Sequence, residues 1–164
     1  MKDPAQCLLT LADAVAWREG LRRSGRTLVV TNGCFDLMHR GHASYLLAAA
    51  GLGDELLVLV NSDASVRALK GPSRPLVSAV DRAYLLCALE SVSRAVIFDG
   101  ARCAAELAAL KPDVYAKAGD YTLEKLDASE REALLASGSR IVFMPFVSGF
   151  STTGIVEKIA ASKN

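Results

Sequence analysis

Charge of either sign is the first thing this sequence lacks in excess: 19 Lys and Arg against 18 Asp and Glu leave a formal net charge of +1. With the cations scattered, neither a nucleic-acid surface nor a basic membrane-binding patch is indicated, and the expected partner is small. No stretch approaches the roughly 18 uncharged apolar residues that a membrane span needs. Met1-Lys2-Asp3-Pro4 leads into no long apolar segment of a secretory leader, so the chain is expected to be soluble and cytoplasmic. The four cysteines, Cys7, Cys34, Cys87 and Cys103, contain no Cys-x-x-Cys pair and no spacing typical of zinc or of a disulfide framework. They read as reduced thiols in a cytoplasmic protein. Only two histidines occur, His39 and His42, and they fall in one short stretch.

What is present is ordinary globular composition, 51% hydrophobic and 23% charged over 164 residues, which fits a single domain. Thr10-Leu11-Ala12-Asp13 resembles a capping box that opens an amphipathic helix through Trp17 and Leu21, and Gly25 ends it. Residues 1–25 therefore read as a packing helix ahead of a main unit at 26–164. In that unit, apolar runs at 27–31, 55–60, 95–98, 114–116 and 140–145 alternate with helical patterns at 64–69, 79–90, 101–110, 128–137 and 151–161. Continuous apolar strands alternating with helices imply a parallel sheet covered on both faces. The expectation is a doubly wound, Rossmann-like α/β domain with five strands, whose ligand sits at the carboxyl ends of the strands. Polar clusters follow those ends at Asn32 to Asp36, Asn61 to Asp63, Lys117 to Asp120 and Ser148 to Thr153.

The stretch from Leu28 to Tyr45 carries the most chemistry. A β-branched run is stopped by Asn32-Gly33, continues as Cys34-Phe35-Asp36-Leu37-Met38-His39-Arg40-Gly41-His42, and enters a good helix former. A helix N-terminus presents unpaired N–H groups and the positive end of the macrodipole to an anion. Gly33 and Gly41 let backbone approach a ligand closely. If the helix begins near Met38, His39 and His42 share one face of its first turn. The alternatives are an ordinary turn with surface histidines and a transition-metal site, although a structural metal site wants about four ligands.

Gly149-Phe150-Ser151-Thr152-Thr153 forms a second anion cradle at a helix start, with a plain N-cap as the competing explanation for Ser151. Lys70 precedes a loop containing Gly71, Arg74 and Pro75, from which a long cation can reach phosphate; a solvated basic loop is the alternative. Arg82 lies early in a helix, where the dipole disfavours a cation, which fits either simple exposure or a phosphate partner. Cys34 beside a helix N-terminus is a conceivable thiolate, but no base accompanies it.

His39-Arg40-Gly41-His42 after Thr31-Asn32-Gly33-Cys34-Phe35-Asp36 resembles the His-x-Gly-His signature of the nucleotidyltransferase superfamily, which includes the cytidylyltransferases, pantetheine-phosphate adenylyltransferase and the class I aminoacyl-tRNA synthetases. In order, Asn61 to Arg67, Lys70-Gly71 with Arg74-Pro75, Asp81-Arg82, Lys117 to Tyr121 and Ser151-Thr152-Thr153 are similar to the adenylyltransferase domain of ADP-heptose synthases. The likeness covers roughly residues 26–160. Two departures stand out: that family commonly has Lys-Gly-Gly-Asp-Tyr where this chain has Lys117-Ala118-Gly119-Asp120-Tyr121. The glycerol-3-phosphate cytidylyltransferases usually have Arg-Thr-Glu-Gly where Phe146-Val147-Ser148-Gly149 stands here.

The resemblance implies transfer of AMP from ATP to a sugar 1-phosphate, D-glycero-β-D-manno-heptose 1-phosphate, with release of pyrophosphate. CTP with glycerol 3-phosphate or another phosphorylated alcohol, and a nucleotide-binding module without turnover, are the alternatives. It implies His39, His42 and Lys70 as catalytic groups, and Asn32, Gly33, Cys34, Phe35, Gly41, Lys117, Gly119, Asp120, Gly149, Ser151, Thr152 and Thr153 as nucleotide contacts. Asp36, Asp63 and Arg82 would meet the second substrate, and Mg²⁺ would be carried by the nucleotide phosphates with no protein metal site. Relatives of this kind are often homodimers.

Overall fold

The computed structural model describes residues 3–119, 121–145 and 149–162. After a 3-10 turn at Pro4–Gln6, the elements are β1 (Leu8–Leu9), α1 (Leu11–Arg23), β2 (Leu28–Gly33), α2 (Arg40–Ala50), β3 (Glu55–Asn61), α3 (Asp63–Lys70) and α4 (Ala79–Ala88). They continue with β4 (Arg94–Phe98), α5 (Ala104–Leu110), β5 (Val114–Ala118), α6 (Ala128–Ala136), β6 (Arg140–Met144) and α7 (Thr152–Ala161). The strands form one parallel sheet in the order β1-β4-β3-β2-β5-β6.

Side chains of a strand alternate between faces, so an uninterrupted apolar run supplies two cores at once. In β3, Leu56, Val58 and Val60 enter one cluster with Val29, Tyr45, Leu46 and Leu86. Leu57 and Leu59 enter the other with Leu28, Val30, Leu107, Tyr115 and Leu134. Helix starts are capped at Thr10 and Ser151 as the sequence indicates, and also at Ser62, Ser78 and Asp127: each accepts a hydrogen bond from a backbone N–H of the following turn. Gly25 takes φ +68° just beyond α1, the left-handed stop expected there.

Two expectations are corrected. The sheet has six strands, because Leu8 and Leu9 pair with Ala95 and Val96 at its edge; two residues are too short to show any periodicity. Cys7 and Cys87, read above as free thiols, form a disulfide with Cα atoms 5.7 Å apart and 80 residues between them in sequence, leaving Cys34 and Cys103 free. No local spacing could reveal that pair, since the sheet alone brings the amino-terminal segment to α4. Among the described residues, no helix is long and apolar enough to cross a membrane.

From β2 the chain runs outward through β3 and β4, then returns to place β5 on the other side of β2. That reversal opens a crevice at the carboxyl ends of β2 and β5, the position at which α/β sheets take ligands.

A disulfide closing a loop of this size stabilises by about 2–4 kcal/mol. Reduction should therefore lower the denaturation midpoint by a corresponding amount, and Cys7→Ser should sit at the reduced midpoint with or without reductant. A wild-type midpoint indifferent to reductant would show that the pair does not hold the edge strand.

Candidate active site

The loop after β2 is shaped by its own side chains. Phe35 is buried at φ +48°, and a Cβ on Gly33 would lie 2.8 Å from the Phe35 ring, so glycine is the residue that fits beneath it. A Cβ on Gly41 would meet the His39 ring and Phe150 at 3.0 Å. Asp36 is 2% exposed and accepts hydrogen bonds from Arg74 Nη1 at 2.8 Å, Leu76 N at 2.7 Å and Val77 N at 3.0 Å. Burial alone would raise its carboxyl; the bonds from Arg74, Val77 and Leu76 outweigh that and hold it below the usual carboxylate range. Asp36 thus ties the loop after β2 to the loop between α3 and α4.

Arg82 is expected from sequence to neutralise ligand charge, and the structure puts it elsewhere. Its side chain is wholly buried, Nε donates to Val77 O at 2.9 Å, Nη1 to Cys34 O, and Nη2 to Asn61 O and Asp63 Oδ1, both at 2.8 Å. The dipole mismatch early in α4 is resolved by carbonyls and a carboxylate from the ends of β2 and β3, not by a ligand. Asp63, expected near the second substrate, is the half-exposed partner of this clamp.

His39 is the N-cap of α2 and makes no side-chain capping bond, so the first N–H groups of the helix are left for another acceptor. Its ring stacks on His42 with centroids 3.9 Å apart, and Phe35 meets His42 edge-on at 5.3 Å. Nδ1 of both histidines is buried without a hydrogen bond of normal geometry to any described residue. Burial, then repulsion of a second positive charge beside His39 and Lys70, push His42 down to about 4, opposed by the Leu37 backbone; burial also lowers His39. Both imidazoles are consequently neutral near pH 7 and carry N–H donors.

Three cavities meet here. One of about 340 Å³ contains Asn32, Gly33, Cys34, Phe35, Asp36, Asn61, Arg102, Lys117 and Tyr121. A second of about 420 Å³ lies between the N-termini of α2 and α7, lined by His39, Gly41, Gly149, Phe150, Ser151, Thr152 and Thr153. His42, Tyr45, Lys70, Ala118 and Thr152 line both. A third, about 360 Å³, contains Lys70, Ser73, Arg74, Thr152 and Thr153. Lys70, the exposed last residue of α3, reaches all three. Gly119 is buried at φ +122° beyond β5 and lines none of them, and Asp120 lies outside the described residues. Tyr45 and Arg102 line the first cavity without having been chosen from sequence, whereas Asn61, in the polar cluster after a strand end, and Tyr121, in the Lys117–Tyr121 motif, were flagged there without an assigned role.

A family model described as cytidylyltransferase-like matches residues 30–158. The chain belongs to the cytidylyltransferase-like family. Relatives named Bifunctional protein HldE include those of Citrifermentans bemidjiense, 47% identical over 93% of this chain and 30% of the relative, and of Helicobacter pylori, 46% identical over 89% and 30%. That of Methylococcus capsulatus is 45% identical over 95% of this chain and 33% of its own length. The chain thus spans about a third of these curated relatives. A solved structure of a lipopolysaccharide core biosynthesis protein from Thermoplasma volcanium superposes with a TM-score of 0.61 at 27% identity, covering 75% of this chain and 98% of that one.

The buried clamp predicts a division between two cations of this cytidylyltransferase-like site. Arg82→Ala leaves buried carbonyls without donors and should cost about 3–5 kcal/mol, whereas Lys70→Ala, at an exposed helix end, should stay within about 0.5 kcal/mol in equilibrium unfolding.

The histidine pair predicts a pH dependence. Because the pKa of His42 is lower in the folded chain than its ordinary 6.5, the unfolded chain binds the extra proton. The stability this contributes is complete above about pH 6.5 and is lost as pH falls toward 4. An anion against the ring reverses the preference, so inorganic tripolyphosphate should bind with proton uptake near pH 5.5. Calorimetry in buffers of different ionisation enthalpy reads that uptake, which His42→Gln should largely abolish.

Proposed function

We propose that this chain transfers AMP from ATP to a sugar 1-phosphate, with heptose 1-phosphate as the expected acceptor, and releases pyrophosphate. The observation that carries the reading is the pair of helix N-termini, of α2 and α7, facing one cavity across two neutral, stacked histidines. The motif order shared with the adenylyltransferase domain of ADP-heptose synthases supports ATP and the acceptor. So do relatives named HldE and a structural neighbour titled for lipopolysaccharide core biosynthesis.

On this reading the triphosphate lies between α2 and α7, against Ser151 to Thr153, and the acceptor occupies the polar cavity of Asn32, Asn61 and Arg102. The α-phosphorus sits where the two cavities share His42 and Lys70. An acceptor phosphate oxygen forms the new P–O bond as the bond to pyrophosphate breaks in line, and no protein nucleophile takes part. Catalysis is positioning plus stabilisation of charge on the equatorial oxygens by His39, His42 and Lys70. Lys70 and Arg74 stand beside the third cavity, toward which pyrophosphate departs. Mg²⁺ enters with the substrate as MgATP. Among the described residues no cluster of three His, Cys, Asp or Glu could hold a metal, and the Asp36 carboxylate is already taken by Arg74 and two backbone amides. A cytoplasmic setting goes with these substrates.

Pyrophosphate release with Mg²⁺ and each of ATP, CTP, GTP and UTP, against sugar 1-phosphates and glycerol 3-phosphate, tests the proposal. ATP with heptose 1-phosphate is the expected pair, and His42→Ala should lower turnover by about 10²–10³ without unfolding the chain. CTP with glycerol 3-phosphate would replace both substrates, and ATP binding with no release would leave a binding module.

A further inference from the structure

Val30 pairs with Tyr115 across β2 and β5, so Asn32, two residues on, lies beside Lys117 at the mouth of the crevice. There the Asn32 carboxamide oxygen accepts two hydrogen bonds, from the Tyr115 hydroxyl at 2.7 Å and from Lys117 Nζ at 2.8 Å, and Lys117 also donates to Tyr115 at 3.2 Å. An ammonium has donors and no acceptor, so it must face the oxygen of the amide and not its nitrogen. The orientation of Asn32 is therefore dictated by its neighbours. Its nitrogen donates to no described residue, while the side chain lines the same cavity as His42 and Lys70. Tyr115 is fully buried, and burial raises its hydroxyl well above the ordinary value, so it persists as a phenol donor. The ring packs in the core, and its hydroxyl is bonded to Asn32 and Lys117 at the mouth of the crevice.

We propose that Tyr115 is a positioning residue: with Lys117 it locks the Asn32 carboxamide so that its N–H₂ group points at the reaction centre and donates to an oxygen of the acceptor phosphate. This rests on the function proposed above, because it assigns the ligand atom by the side of the crevice on which Asn32 stands. It also reassigns Asn32 from nucleotide contact to the acceptor, and Lys117, whose ammonium is engaged by Asn32 and Tyr115 and lies 5.3 Å from the Tyr121 ring, from nucleotide contact to support of that amide.

Two measurements test it. The first does not depend on turnover: the Asn32 side-chain NH₂ resonance, identified by its loss in Asn32→Ala, should have a high order parameter that drops in Tyr115→Phe. An unchanged order parameter overturns the lock. The second is a cycle in the pyrophosphate-release assay. Asn32→Asp retains an oxygen for Tyr115 and Lys117 but replaces the donor by a negative charge facing the acceptor phosphate, so it should fold with a melting temperature no lower than wild type yet lose at least about 10²-fold in kcat/KM for the acceptor. Tyr115→Phe should lose about tenfold alone and almost nothing in the Asn32→Ala background, since coupled residues are not additive. An Asn32→Asp enzyme of wild-type activity, or independent multiplying losses, would overturn the proposal. If the wild-type protein releases no pyrophosphate with any substrate pair, the functional reading fails and the order parameter still decides the lock.

Discussion

A single guanidinium buried at the carboxyl end of the sheet is the constraint from which the site follows. Arg82 leaves α4 and bonds the carbonyls of Cys34, Asn61 and Val77 together with the Asp63 carboxylate. These atoms belong to the loop after β2, the end of β3, the approach to α4 and the start of α3. Carbonyls at strand ends have no further ladder partner and burying them bare is costly. One planar fork meets several of them at once, which an ammonium could not do with the same geometry. Asp36 does the complementary work with negative charge, gathering Arg74 and two amides. Between them the two buried ions give the loop over the crevice its shape.

The proposed anion site would draw on neutral donors at its centre, with the charged side chains Lys70, Arg102 and Lys117 around it. Stacked imidazoles held neutral by burial, and an α2 start left without a capping side chain, offer donors without the mutual repulsion that several packed cations would bring. Lys70 supplies charge from an exposed helix end, and the arginines near it are spent on structure: Arg74 on Asp36, Arg82 on the backbone and Asp63. Such an arrangement suits phosphoryl transfer, in which donors must be preorganised around oxygens whose charge grows during the reaction.

The sequence displayed the elements of this machinery unevenly. Strands β2 to β6 were readable because a buried parallel strand is a continuous apolar run, and the helix starts at Thr10 and Ser151 were readable because capping is local chemistry within four residues. The cavity-lining stretch from Asn32 to His42 was readable for the same reason, since its glycines and histidines are close together in the chain. β1 escaped because two residues carry no period, and Arg82 was misplaced because an arginine facing a ligand and one facing buried carbonyls look identical in sequence. Tyr115 passed for a core residue, as its ring indeed is; its hydroxyl matters only through Asn32, 83 positions away.

By itself, then, the sequence determined the parallel α/β architecture, the crevice at the strand ends and the glycine- and histidine-bearing loop that lines it, because each rests on periodicity or on contacts a few residues apart. Only the tertiary structure decided which polar groups face the ligand and which hold the loops, joined Cys7 to Cys87, and depressed the pKa of His42. Those outcomes depend on burial and on partners distant in the chain, and neither is a property of any local segment.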